Sequence, residues 1–89
     1  MADEPSPEHL SVIWSPEARA DLRRIDRETA IQILHAIDRY LSSRSGDVKK
    51  LRPPLKGFRL RHGDYRVFFD HVETTMEITA VRHRREAYR

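Results

Sequence analysis

Phe58-Arg59-Leu60-Arg61-His62-Gly63-Asp64-Tyr65-Arg66-Val67-Phe68-Phe69-Asp70 is the stretch whose reading decides the fold. From Phe58 to Arg61, apolar and basic residues alternate with the period of a strand. His62-Gly63-Asp64 reads as a hairpin turn, with Gly63 free to take positive φ. Tyr65 to Asp70 then returns as a second strand. Successive side chains of a strand point to opposite faces, so Phe58 and Leu60 share one side and Arg59 and Arg61 the other. Tyr65, Val67 and Phe69 alternate in turn with Arg66, Phe68 and Asp70. Arg66 is expected to join the two arginines, and both faces of this strand carry an aromatic.

The apolar side of that hairpin needs a cover, and the N-terminal half supplies it. Leu10 to Trp14 is rich in strand formers and reads as a short strand. Ser15-Pro16-Glu17 is a helix start: a capping hydroxyl, a proline at the first helical position and an acid at the positive helix end. Ala18, Leu22 and Ile25 form one apolar stripe. Asp26 is expected to cap a second helix, whose buried stripe is Ala30, Ile33, Leu34, Ile37 and Leu41, with Tyr40 on the flank. Ser42 to Asp47 ends it. Downstream, Lys49 to Gly57 reads as a basic loop stiffened by Pro53-Pro54. Met76 to Val81 reads as a third strand after a turn at Val72–Thr75, and Arg82 to Arg89 as a polar tail. The expected fold class is α+β, with a short N-terminal strand and a two-helix hairpin packed on a mainly antiparallel twisted sheet. Residues 1–9, with two prolines and three acids, read as a disordered tail before a single domain over 10–89.

Composition narrows the class. Eighty-nine residues make one domain. No cysteine is present, so neither disulfides nor thiolate–metal sites are available. No segment approaches the roughly 20 apolar residues of a membrane span, and no signal peptide is apparent, so the expected location is cytoplasmic. The net charge of +3 conceals an asymmetry: residues 1–48 carry −3 and residues 49–89 carry +6. Basic charge gathered in one part of a small domain suits a polyanion.

Three arginines sharing a face repel one another unless acids are interleaved. Clustered and unpaired, they suit a phosphate, which planar, permanently charged guanidinium groups grip through two oxygens at once. Paired instead with Asp70, Glu73 and Glu77, they would only salt-bridge a solvated sheet. The pattern leaves both readings open. The run Val81-Arg82-His83-Arg84-Arg85-Glu86-Ala87-Tyr88-Arg89 adds cations interleaved with rings, a composition that suits unpaired RNA. His9, His35, His62 and His71 fall in the tail, on the polar side of the second helix, and in turns or strand ends. Ser15 is accounted for as a cap. No spacing points to a metal site and no glycine-rich phosphate loop is present, so no cofactor is implied.

Three stretches together resemble the RelE/ParE toxins of type II toxin–antitoxin systems, and the likeness runs from about Ser11 to Arg89. They are Trp14-Ser-Pro-Glu-Ala-Arg-Ala-Asp-Leu22, Phe58-Arg-Leu-Arg-His-Gly-Asp-Tyr-Arg66 and Val81-Arg-His-Arg-Arg-Glu-Ala-Tyr88. The resemblance implies two N-terminal helices on a twisted, mainly antiparallel sheet. It implies an antitoxin partner that masks the basic face. It also implies a toxin of RelE type, an mRNA endoribonuclease acting with the ribosome to inhibit translation. The alternative is a ParE-type toxin that inhibits DNA gyrase by protein binding alone.

Carried over by motif, the residues around the scissile phosphate are Arg61, Arg66, Arg84 and Tyr88, with Arg59 helping to hold it. Lys49, Lys50, Lys56, His83 and Arg85 complete the expected RNA-binding set. Two departures stand out. Arg59 and Arg61 occupy positions where the best-studied RelE site has lysines, and arginine does not give up a proton to become a base. Arg82 stands where the family commonly has glycine. RNA cleavage without a metal needs a base for the 2′-hydroxyl, charge stabilisation at phosphorus and a proton for the leaving oxygen. His83 is the one side chain near the tail of a type that titrates near neutrality, and the base stays unassigned.

Overall fold

The computed structural model describes residues 10–86. The expected tail over 1–9, and Tyr88, lie outside the described residues. The elements are β1 (Ser11–Trp14), α1 (Pro16–Arg23), α2 (Arg27–Ser43), β2 (Asp47–Lys50), β3 (Phe58–His62), β4 (Tyr65–Val72) and β5 (Thr75–His83). The strands form one sheet in the order β1-β5-β4-β3-β2, with β1 parallel to β5 and every other pair antiparallel. This is the expected α+β architecture, and the quoted hairpin, β3–β4, lies at its centre.

Local chemistry sets the helix ends. Ser15 Oγ accepts the Ala18 N–H at 3.0 Å and donates to the Thr79 carbonyl at 3.1 Å, so one hydroxyl caps α1 and ties it to β5. Asp26 accepts the Thr29 N–H at 3.1 Å at the start of α2, and these hydrogen bonds hold its carboxyl below the ordinary carboxylate range.

The helices cover one face of the sheet. Ile33, Ala36, Ile37, Tyr40 and Leu41 of α2 are buried with Leu60, Val67, Phe69, Ile78 and Val81 of the strands. Each large apolar side chain so buried contributes about 1.5–3 kcal/mol of transfer free energy. Leu34, expected in the stripe, is 40% exposed. The buried positions advance as 33, 36/37 and 40/41, and Leu34 is turned about 100° round the helix from Ile33. Tyr40, expected on the flank, belongs to the core: its ring packs 5.4 Å from Phe69, and its hydroxyl shares a 2.8 Å hydrogen bond with His71 Nε2.

The start of the expected basic loop is strand β2, which pairs along β3 from Asp47↔Arg61 to Lys50↔Phe58. Only Val48 in it packs against the core, too short a pattern to register as alternation. β5 runs on to His83 and takes Arg82 and His83 from the expected tail. A bulge explains its pattern. Phe68 faces Ala80 while Phe69 faces Ile78, leaving Thr79 as an extra residue. Ile78 and Val81 can therefore both face the helices, and Ala80 and Arg82 turn to the opposite side. Among the described residues no helix is long and apolar enough to cross a membrane.

Candidate functional site

The open face of the sheet is an ordered grid. Strand pairing aligns Asp47, Arg61, Arg66 and Arg82 in one cross-strand row, and Lys49, Arg59, Phe68 and Ala80 in the next. Arg61 and Arg66 stand directly opposite each other. One further along the same face, Asp70 is paired with Glu77. Like charges are thus gathered in blocks rather than interleaved.

Arg61 and Arg66 have no ion pair among the described residues. Arg59 is 12% exposed at its side chain, and its Nη1 lies 3.7 Å from Asp47 Oδ1, within ion-pair range but too far for a hydrogen bond. Among the described residues, Arg59 Nη1 and Arg66 Nε are enclosed without a hydrogen-bond partner. Arg66 Nη1 has only long contacts, 3.4 Å to the Gly63 carbonyl and 3.3 Å to the Tyr65 carbonyl. Among the described residues, no ion pair joins these arginines to Asp70, Glu73 or Glu77. The salt-bridged sheet that the sequence allowed does not form. Buried donors on a cation gain from an external anionic acceptor, because their desolvation has already been incurred.

Arg82 shares the row and plays another part. Its guanidinium turns to Asp21 of α1, a carboxylate 4% exposed. Asp21 Oδ2 also accepts the Val81 N–H at 3.0 Å, and Arg24 donates to Oδ1. β1 covers only the first part of the β5 edge, Thr75–Ile78. Asp21 satisfies the edge N–H beyond it. An arginine where the family resemblance led one to expect glycine is therefore a partner for a buried acid. Asp21 was missed in the sequence, although its place at i+3 from Ala18, on the apolar side of α1, was a usable signal.

The remaining expected residues divide by position. Arg84 donates its backbone N–H to the Asp64 carbonyl at 2.6 Å, and its Nε lies 3.8 Å from Asp64 Oδ1, both side chains being exposed. It is held beside the β3–β4 turn, next to the Arg61–Arg66 row. Lys49 lies opposite Arg59 on the open face. Lys50 pairs with Phe58, and by alternation points to the helix side. Lys56 belongs to the loop between β2 and β3, and Arg85 is exposed in the final turn. His83 is opposite Tyr65, with the rings edge to face at 5.3 Å, and its Nδ1 accepts the Arg85 N–H at 3.2 Å. It lines a pocket of about 480 Å³ on the helix side, with Tyr65, Asp21 and Glu86. His83 is therefore on the far side of the sheet from Arg59, Arg61 and Arg66, in a pocket that the Arg82 guanidinium also lines.

Comparison with known proteins agrees with this geometry. Residues 12–88 match the family model of the ParE toxin of the type II toxin–antitoxin system parDE. Among solved structures, the chain is similar to the toxin–antitoxin complex RelBE2 from Mycobacterium tuberculosis, with TM-score 0.75 and 26% identity over 84% of this chain and 98% of that one. The RelB–RelE antitoxin–toxin complex from Methanococcus jannaschii gives TM-score 0.71 and 22% identity, covering 85% of this chain and 94% of that one. The YoeB dimer from Staphylococcus aureus gives 0.68 and 18%, covering 84% and 97%. The latter two likenesses are of fold alone. No curated protein sequence gives a match.

Proposed function

The chain belongs to the ParE family of toxins of type II toxin–antitoxin systems, and on that premise we propose that it cleaves mRNA with the arginine face of its sheet. The observation that carries this reading is the direct opposition of Arg61 and Arg66, beside the enclosed, unpartnered nitrogens of Arg59 and Arg66. Such a face is unfavourable alone and is relieved by a phosphate.

In the proposed reaction the 2′-oxygen of one ribose attacks the adjacent phosphorus and loses its proton to a base. The bond from phosphorus to the next 5′-oxygen breaks, and that oxygen takes up a proton. The products are a 2′,3′-cyclic phosphate and a 5′-hydroxyl. Arg61, Arg66 and Arg84 stabilise the charge that grows on the phosphorane, and Arg59 holds a neighbouring oxygen. Tyr88 stacks on a base or donates the proton. Because arginine does not serve as the base, the proton acceptor is another group of the toxin or one that the ribosome supplies. The partner that restrains it is a cognate antitoxin, as in the RelB–RelE and RelBE2 complexes, and its acidic or amphipathic segment covers the basic face.

A second reading is favoured by the family match itself, which is to ParE: inhibition of DNA gyrase by protein binding without RNA cleavage. Brief induction followed by primer extension on a translated mRNA separates the two. New 5′ ends inside the reading frame, absent with Arg84→Ala, are expected. Intact mRNA during growth arrest, with gyrase supercoiling inhibited, would establish the second reading instead.

A further inference from the structure

Among the described residues, Phe68 is the one Phe, Tyr or Trp of the sheet that the core does not use. Trp14, Phe58 and Tyr65 pack against the buried cluster, and Tyr40 and Phe69 belong to it; Phe68 does neither. It is half-buried on the open face. Among the described residues, its ring meets no other ring. Arg59 lies across from it on β3 and Ala80 across from it on β5. The β5 bulge puts Ala80 there, so the side chain across from the ring on β5 is a single methyl.

An aromatic half-buried among cations, with only a methyl across from it on one side, keeps part of its ring free to gain from a flat ligand. We propose that Phe68 is a stacking platform for one unpaired nucleobase of an RNA strand whose adjacent phosphate is held by Arg61 and Arg66. This rests on the reading of the open face as an RNA site. The spacing fits. Phe68 follows Arg66 by two residues on the same face, about 6.7 Å along the strand, an offset comparable to that between a base and its own phosphate. Arg59, opposite Phe68, is placed to hold the next phosphate or lie against the base edge. Because every base offers a π-face, the platform tolerates sequence and favours the larger purines.

The test is fluorescence anisotropy of the full chain with a short single-stranded 2′-O-methyl RNA, whose blocked hydroxyls prevent cleavage. A parallel set has one base removed at each position in turn. Phe68→Leu is expected to weaken binding of the intact strand about 5- to 150-fold, the equivalent of one lost base stack. Phe68→Tyr should bind like the original protein. Removing one particular base should weaken the original protein to the same degree, with no further loss in Phe68→Leu. Coincident thermal melts show that the variants fold. Unchanged affinity of Phe68→Leu, alongside salt-dependent binding by the original protein, would overturn the platform and leave the RNA site standing. Failure of the original protein to bind the strand would remove both. Loss of gyrase inhibition in Phe68→Leu with RNA affinity unchanged would make Phe68 a protein contact and overturn the platform.

Discussion

On the helix side of the β3–β4 hairpin, Leu60, Val67 and Phe69 are at most 1% exposed. On its other side, Arg59, Arg61 and Arg66 gather cations around a half-buried Phe68. The two sets alternate along the same strands, so they share a backbone, a register and a turn. On the proposed reading, the difference teaches that stability and function are segregated here at single-residue resolution. The helix side is packed as a core, whereas the open side holds repelling charges and, among the described residues, enclosed donors without acceptors. Natural folds accept such local cost where a ligand relieves it.

Substitutions on the two sides should therefore have opposite signatures. Phe69→Ala should have the largest effect, destabilising the domain by about 3–5 kcal/mol, which urea unfolding would measure. In a chain of this size that approaches the whole stability. Arg66→Ala should leave the urea midpoint nearly unchanged or slightly raised, while lowering cleavage by about 100-fold or more through lost charge stabilisation. A large drop in stability for Arg66→Ala would break the comparison. Asp21→Ala tests the seam between the faces. It leaves the Val81 N–H and Arg82 without their acceptor and should cost about 1–3 kcal/mol; Asp21→Asn should recover part of that loss.

The smallest expected effect is a pH dependence confined to the helix side. Burial, with the nearby Arg44 charge adding to it, holds the His71 imidazole below the ordinary histidine range. The unfolded chain therefore takes up the proton first as pH falls. The associated stability is complete above the unfolded histidine value of about 6.5 and is lost as pH drops from there through the folded value. Urea midpoints should fall modestly between neutral and mildly acidic pH, and His71→Gln should flatten that slope. An unchanged slope in the variant would place the acid sensitivity elsewhere.

Much of this was legible in the sequence, for reasons that can be named. The alternation of Phe58 to Arg61 is a local signal, and strand geometry alone converts it into two faces. Ser15 and Asp26 act within three residues of themselves, so both caps could be read directly. What was illegible depends on partners distant in sequence. β2 exists because β3 offers it hydrogen bonds, and its single packed apolar residue gives no periodicity. The extra Thr79 shifts the parity of β5, which sends His83 to the helix side and starts Arg82 on the open side, from which its guanidinium turns round the strand edge to Asp21. Asp21 lies at i+3 from Ala18, on the apolar side of α1, but what it serves there shows only when β5 brings Val81 to it across 60 residues. Phe68 could be placed beside Arg66 by alternation, but only the pairing with Ala80 showed that its neighbour on β5 is a single methyl.

The central claim is that the open face holds the phosphates of RNA, and the salt dependence of binding tests it most directly. Affinity for a single-stranded, cleavage-resistant RNA would be measured across salt concentrations for the original chain, Arg61→Ala and Arg66→Ala. Each lost phosphate contact should lower the slope of log affinity against log salt by about 0.7, with melting temperatures unchanged. Slopes identical to that of the original chain would contradict the account, because the paired arginines would then hold no phosphate.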